Sequence, residues 1–371
     1  MSDVNRYLEF LEKNLDLIHL KKVKERIKKT YNYETPDRIP VRIYYNCDDF
    51  SYFPYEEAFN DMEKMMINEL IAICRSVRIR DDFLPSIRAN YGVGILPSLF
   101  EAKVKIINGN MPWVEPYGSV WKIKKLIDKG VPEFKNGLGG RIIETHKYYK
   151  EILANFPKCK EAIRIYHPDL QGPFDVAHLL WGPDIYYAVY DEPELLHELL
   201  NLLTETYIRF LQEIKKDIND EEGEYIYHWG TLYKGRVVLR NDSAVNLSKE
   251  MYEEFVKPYD EKILNAFGGG SMHYCGRADQ WIFSMLETKG LQALNFGQPP
   301  NLVFGLEFLS KVYYKAREKH IPIVSYNLDN KKMIEIPHSD FITGVTYSTY
   351  VENINEAEVL LEALKLSKNN I

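Results

Sequence analysis

The stretch SMHYCGRADQW, Ser271 to Trp281, reads as a strand that passes through a glycine into the start of a helix. Residues two apart on a strand point to the same side, so His273 and Cys275 share one face of it. A strand followed directly by a helix is the repeating unit of α/β proteins. The stretch therefore predicts an α/β fold and places a histidine and a cysteine side by side at the end of a strand.

Strand and helix patterns alternate on both sides of this stretch. The predicted strands are 40–45, 83–89, 163–167, 224–228, 236–240, 270–274, 291–295, 322–325 and 341–346. About eight strands that alternate with helices predict a (β/α)₈ TIM barrel, and a doubly wound open sheet is the alternative. Residues 1–34 are predicted to form an N-terminal helical extension, and residues 35–371 a single barrel domain.

Composition narrows the class of protein. The chain has 371 residues, of which 45% are hydrophobic and 27% charged, as in an ordinary globular protein. It has no apolar run of membrane-spanning length and starts without a secretory signal pattern, so we expect a cytoplasmic protein away from the membrane. The net charge of -7 argues against nucleic-acid binding and favours a small-molecule substrate.

Polar side chains gather at the ends of the predicted strands, where barrel enzymes place their active sites. From these positions we expect catalytic roles for Arg240, Asp242 and Ser243. The residues expected to bind substrate are Asn90, Tyr91, His167, Asp169, Trp229, Asn295 and Tyr347. His228, which also ends a predicted strand, joins His273 and Cys275 as a candidate metal ligand.

Several longer segments carry a family resemblance. The segments LQGPFDVAHLLWG, DEPELLHELLNLLTETYI, RNDSAVNLSKEMYEEFVKPYDEKIL, HYCG and ITGVTYSTYVENINEAEVLLEAL follow one another along the chain. Together they resemble the uroporphyrinogen decarboxylase superfamily, from about Thr35 to the C-terminus. The resemblance implies a (β/α)₈ barrel and one of two chemistries: cofactor-free decarboxylation of a tetrapyrrole, or zinc-dependent transfer of a methyl group from a corrinoid to a thiol.

The decarboxylase branch fits the sequence poorly. The resemblance places Cys47 and Ser51 where those enzymes have arginines that hold the carboxylates of the substrate, and Leu179 in place of their tyrosine. Thr343 falls on their histidine, and only Ser243 is retained among the positions that can be matched. A lyase of tetrapyrrole metabolism is therefore the alternative interpretation.

The methyltransferase branch fits better, because His273 and Cys275 match the HxC pair with which those enzymes bind zinc. Their third ligand is a cysteine, and the resemblance places Thr343 at that position. A substitute ligand is then needed, and we favour His228 over Cys47, with Asp48 and Asp242 as further candidates at strand ends.

This interpretation implies zinc as cofactor, a corrinoid as co-substrate and a corrinoid protein as candidate partner, in one-carbon metabolism. Two other interpretations stay open. In the first, His273 and Cys275 are polar residues that line the barrel without binding a metal. In the second, the chain is a non-catalytic barrel that binds a small molecule.

Overall fold

The structure is a computed structural model that describes residues 3–107, 109, 111–297 and 305–365. Within these residues the strands are β1 (Val41–Tyr45), β2 (Ser86–Ile87), β3 (Val104–Lys105), β4 (Trp113–Val114), β5 (Arg164–Ile165), β6 (Glu221–Glu222), β7 (Tyr225–His228), β8 (Thr231–Lys234), β9 (Val238–Arg240), β10 (Gly270–Cys275), β11 (Leu291–Gly297), β12 (Ile323–Asn327) and β13 (Val345–Val351).

Helices separate most of these strands. They are α1 (Asp3–Asn14), α2 (Leu17–Tyr31), α3 (Tyr55–Asn60), α4 (Met62–Ile79), α5 (Ile95–Leu99), α6 (Val120–Lys129), α7 (Leu138–Leu153), α8 (Pro157–Ala162), α9 (Pro173–Trp181), α10 (Ile185–Asp191), α11 (Pro193–Ile214), α12 (Lys249–Phe255), α13 (Lys257–Ala266), α14 (Ile282–Leu286), α15 (Gly305–Glu318), α16 (Asn330–Met333) and α17 (Ile354–Ala363). Short 3₁₀ turns lie at 92–94, 215–217, 243–246, 336–338 and 340–342. In the described part of the chain, no helix is both long and apolar enough to cross a bilayer.

Six strands form the central sheet, which is parallel throughout and has the order β1-β13-β12-β11-β10-β9. β2 and β5 form a separate two-stranded parallel sheet. No sheet closes on itself among the described residues. The prediction of parallel strands alternating with helices is therefore confirmed, whereas the closed ladder of a (β/α)₈ barrel is not observed.

Side chains occupy both edges of the central sheet and explain why the ladder stops there. At β1, the N–H groups of Val41 and Ile43 donate to the carboxylates of Asp82 and Asp81, each over 2.8 Å. At β9, the Val238 N–H donates to Nε2 of the buried His167 over 3.3 Å. These acceptors satisfy edge N–H groups that a neighbouring strand would otherwise satisfy.

The predicted strand 224–228 lies outside the central sheet, which corrects the expectation that it is a barrel strand. It is β7, which pairs antiparallel with β6 and β8. His228 is opposite Thr231, and Trp229 and Gly230 form the turn with φ values of 44° and 70°. Positive φ at both residues is what a two-residue hairpin turn of type I′ requires.

This hairpin packs against one face of the central sheet. Its buried side chains Tyr225, Ile226 and Tyr233 form a cluster with Val238 of β9, Ala293 of β11 and Val324 of β12. The neighbouring residues Leu239, Leu294 and Ile323 belong to the cluster formed with the surrounding helices. Because strand side chains alternate, the sheet has the hairpin on one face and helices on the other.

The final strand is displaced from its prediction. We expected 341–346, but β13 runs over Val345–Val351. Gly344 has a φ of 72°, a left-handed conformation that a strand does not accommodate. Thr343 therefore precedes the amino end of β13, and its carbonyl accepts a hydrogen bond of 3.1 Å from Tyr313. Cys275 lies at the carboxyl end of β10, whereas Thr343 precedes the amino end of a parallel strand, so Thr343 does not lie at the third-ligand position where the resemblance placed it.

The predicted N-terminal helices, α1 and α2, are confirmed and pack onto the rest of the chain. The Tyr31 hydroxyl at the end of α2 donates to the Leu232 carbonyl of the hairpin over 2.8 Å. Arg26 of α2 forms ion pairs with Asp37 and with the buried Asp82. The division into an extension and a barrel at residue 34 stays a prediction.

We predict that Asp82→Asn destabilises the protein far more than Asp37→Asn does. Asp82 is 2% exposed and pairs with both Arg26 and Arg38, so its loss leaves the buried Arg38 without its counter-charge and Arg26 with Asp37 alone, a cost of about 3–5 kcal/mol. Asp37 is 67% exposed and pairs with the same Arg26, so its loss costs at most about 1 kcal/mol. Urea unfolding of both variants measures the difference, and equal midpoints would contradict this account.

Candidate metal centre

Three side chains converge at the carboxyl edge of β9 and β10, and we call them the donor cluster: Asp242, His273 and Cys275. One ligand atom from each lies within 4.8 Å of the others. His273 Nε2 is 3.4 Å from Cys275 Sγ and 3.5 Å from Asp242 Oδ1. The Cys275 N–H donates to that same Asp242 oxygen over 2.8 Å. The arrangement offers a carboxylate, an imidazole and a thiol to a single point.

Strand register places these residues. β10 lies between β9 and β11, with His273 beside Arg240 on one side and Asn295 on the other. Cys275, two residues further, pairs with Gly297. Asp242 follows β9 directly, so parallel pairing brings it to the same edge as Cys275.

Asn295 sets the protonation of His273. Its Oδ1 lies 2.5 Å from His273 Nδ1, and its Nδ2 donates to the Val324 carbonyl over 2.6 Å. The amide oxygen can only accept a hydrogen bond, so the imidazole proton sits on Nδ1. The lone pair of Nε2 then faces the Asp242 carboxylate and the Cys275 thiol. Burial lowers the pKa of His273, which keeps the ring neutral. A metal-binding histidine in proteins is typically held in this way.

Gly297 keeps the space between the donors open. A Cβ at this position would lie 2.5 Å from Cys275 Sγ and 2.6 Å from His273 Cε1. Atoms cannot approach so closely without displacement, so any side chain here would push into the donor cluster. The strand pairing thus supplies both the ligands and the gap beside them.

Asp175, on α9, holds the backbone on the other side of the cluster. Its carboxylate accepts the N–H groups of Asp242 and Ser243, each over 2.7 Å. Burial, with the nearby Asp242 carboxylate, raises the pKa of Asp175 well above its usual range. The Ser243 hydroxyl lies 2.8 Å from Nδ1 of His178.

The donor set fits zinc. Imidazole, thiolate and carboxylate are its usual protein ligands, and three of them leave one position for a substrate. Partial burial, together with the nearby Asp242 carboxylate, raises the pKa of the Cys275 thiol to about 12. A divalent cation reverses both effects, because its charge stabilises the thiolate and pairs with the carboxylate.

His228 and Cys47, which the sequence favoured as third ligand, are not part of the donor cluster. His228 is fully buried, packs against His167 with 4.7 Å between ring centroids, and lies 3.5 Å from Asp169. Cys47 lies 3.6 Å from Arg78, on a different part of the molecule. Of the candidates that the sequence suggested, Asp242 is the one that the structure brings to His273 and Cys275.

Asp169 and Arg240, both predicted site residues, meet beneath the donor cluster. Arg240 Nη2 is 2.5 Å from Asp169 Oδ1, and Arg88 pairs with the same carboxylate. The Arg240 guanidinium lies 4.1 Å from the centre of the Trp229 ring. Burial, with the nearby Arg88 charge, lowers the pKa of Arg240 to about 9.

Three predicted substrate-binding residues point elsewhere. The Asn90 side chain donates to Glu69 of α4, and the Tyr91 hydroxyl is hydrogen-bonded to Thr145 of α7. Tyr347 is buried and donates to the Phe341 carbonyl near the start of β13. Among the described contacts, none joins these side chains to the donor cluster, and each has a structural partner instead.

Asp175 and Gly297 are the residues that sequence reasoning missed. Each carries a weak signal: Asp175 is an acidic residue in the first turn of α9, in the segment GPFD, and Gly297 comes two residues after Asn295, which the sequence already suggested as a candidate. Their roles depend on the pairing of β10 with its neighbours, which the sequence does not show.

The fold and the donor cluster define an α/β protein with a parallel sheet and a candidate metal site at its carboxyl edge. Comparison with solved structures finds a methyltransferase from Methanosarcina mazei with a TM-score of 0.63 and 16% sequence identity. The match covers 92% of this chain and 97% of that chain, so the two share an overall fold. No protein-family model matches the sequence, and no curated protein matches it.

We predict that Asn295→Leu weakens zinc binding about 10- to 100-fold, because the proton of His273 is then no longer held on Nδ1. Asn295→Asp retains an acceptor at the same place and serves as the matched control. Competition with a chelator of known zinc affinity measures both variants. Equal affinities for the parent and the leucine variant would show that Asn295 does not prepare His273 for a metal.

Proposed function

We propose that the protein is a zinc-dependent methyltransferase that moves a methyl group from a corrinoid to a thiol. The observation that carries the proposal is the donor cluster, with its neutral His273 and the gap beside Gly297. The fold shared with a methyltransferase agrees with it. We further propose that β1, β2, β5 and β9 to β13 are the eight strands of a (β/α)₈ barrel. In this barrel, Asp81 and Asp82 bridge the gap beside β1, and His167 bridges the gap beside β9.

Asp242, His273 and Cys275 would hold the zinc, which supplies a positive charge that binds the substrate thiol and lowers its pKa. The thiol gives up its proton, and its sulfur then forms a bond to the methyl carbon. The bond between that carbon and the cobalt of the corrinoid breaks, and its electron pair stays with the cobalt. Asp242 acts here as a ligand, which refines its predicted catalytic role.

Two neighbouring features complete the proposed site. Arg240, which pairs with Asp169 and lies against the face of the Trp229 ring, would hold that ring in place beside the donor cluster. The hydrogen-bonded pair of Ser243 and His178 borders Asp242 and offers a path by which the thiol proton reaches solvent. Burial lowers the pKa of His178, so its ring is neutral and would release a proton to solvent rather than retain it.

Metal content tests the assignment of the ligands. The purified protein, expressed with added zinc, should carry about one zinc per chain, and Cys275→Ser should lose most of it, since a hydroxyl replaces a thiolate. Cys47→Ser and His228→Gln alter the ligands that the sequence favoured and should retain the metal. Loss of zinc from either control to the same extent as from Cys275→Ser would contradict the donor cluster.

Methyl transfer tests the function itself. The zinc-loaded protein should demethylate free methylcobalamin in the presence of a small thiol, as followed by the absorbance change of the corrinoid. Asp242→Ala should remove this activity together with the metal. If zinc is bound stoichiometrically but neither methylcobalamin nor any tested thiol reacts, the proposed transfer is wrong, and a metal-containing binding protein is the better description.

A further inference from the structure

The tip of the β7–β8 hairpin reaches the donor cluster from the inner face of the central sheet. The base of the hairpin packs on Val238, Ala293 and Val324, and its tip residue Trp229 contacts His273 edge-on, with 4.9 Å between ring centroids. Trp229 is partly exposed, whereas the side chains on either side of it, His228 and Thr231, are buried. The indole is therefore the partly exposed group at the tip of the hairpin, next to His273.

The backbone at Trp229 is unusual for so large a residue. Its φ of 44° lies in the left-handed region, which bulky side chains rarely adopt and in which type I′ turns strongly favour asparagine or glycine. The next residue, Gly230, already supplies the glycine of the turn. Asparagine or glycine would fit this conformation more easily, so the presence of a tryptophan indicates that its side chain has a function.

The contacts of the indole show what that use is. One face carries the Arg240 guanidinium at 4.1 Å, and Nε1 lies 3.4 Å from Asp169 Oδ2. The Trp229 carbonyl accepts a hydrogen bond from Arg42 of β1, which fixes the tip of the hairpin to the opposite edge of the sheet. Trp229 is thus held from several sides, with its ring edge-on to that of His273.

We propose that Trp229 forms the floor of the substrate site and limits the size of the thiol that can reach the metal. This inference rests on the proposed function. A thiol bound between His273 and Cys275 can extend inward only as far as the indole, so compact aliphatic thiols fit and bulky ones do not. Trp229 is a specificity-determining residue here, and the chemistry of transfer does not pass through it.

The test replaces the indole and preserves the turn. Trp229→Asn creates an Asn-Gly turn, the preferred sequence for a type I′ hairpin, so the fold should persist. Trp229→Gly suits the same positive φ and provides a second variant. Trp229→Phe keeps a ring in place and is the matched control. Circular dichroism and thermal unfolding confirm that each variant is folded.

Binding is measured on the cobalt(II)-substituted proteins, in which a bound thiolate gives a sulfur-to-cobalt charge-transfer band in the near ultraviolet. The probes are ethanethiol and 2-phenylethanethiol. The parent and Trp229→Phe should bind ethanethiol in strong preference to 2-phenylethanethiol. In Trp229→Asn and Trp229→Gly the phenyl group can enter the space left by the indole, against Arg240, and 2-phenylethanethiol should bind at least about tenfold more tightly than to the parent.

The outcomes separate the two proposals. If cobalt or ethanethiol fails to bind to the folded parent protein, the proposed function fails, and the role of Trp229 fails with it. If both bind, but 2-phenylethanethiol has the same affinity for the parent, the phenylalanine variant and the two small variants, Trp229 is not the floor of the site. A bulky thiol would then extend outward to solvent.

Discussion

The register of β10 between β9 and β11 is the constraint on which the candidate site depends. It sets His273 beside Asn295, which holds the imidazole proton, and Cys275 beside Gly297, which leaves room for an ion. A slip of one residue would turn every side chain of β10 to the opposite face and separate all four. Asp242 joins the cluster only because β9 is parallel to β10 and ends at the same edge.

The remaining architecture supports this edge from both sides. On the helical side, Asp175 fixes the turn that carries Asp242 through two backbone hydrogen bonds. On the other face, the hairpin packs on the sheet and brings the Trp229 ring edge-on to His273. The sheet ladder itself is incomplete, and the carboxylates of Asp81 and Asp82 bind the free N–H groups of β1. A site of small side chains is thus built on a rigid and well-packed frame.

The local parts of this arrangement could be predicted from the sequence, and the non-local parts could not. Alternation along a strand is enough to pair His273 with Cys275. The third donor depends on which strands are neighbours, which the sequence does not show, so the pattern favours His228 over Cys47 and leaves Asp48 and Asp242 as further candidates. The strand at 224–228 looks like any buried strand, and its place in a hairpin follows from the turn at Trp229 and Gly230. Thr343 was misplaced because Gly344 delays the start of β13.

The central claim is that one carboxylate, one imidazole and one thiolate from this chain hold a zinc ion with a position left open. X-ray absorption at the zinc edge of the zinc-loaded protein tests it most directly. The account predicts one sulfur neighbour at about 2.3 Å and nitrogen or oxygen neighbours at about 2.0–2.2 Å, with a second sulfur appearing when ethanethiol is added. A zinc shell without sulfur, or with two sulfurs before any thiol is added, would contradict it.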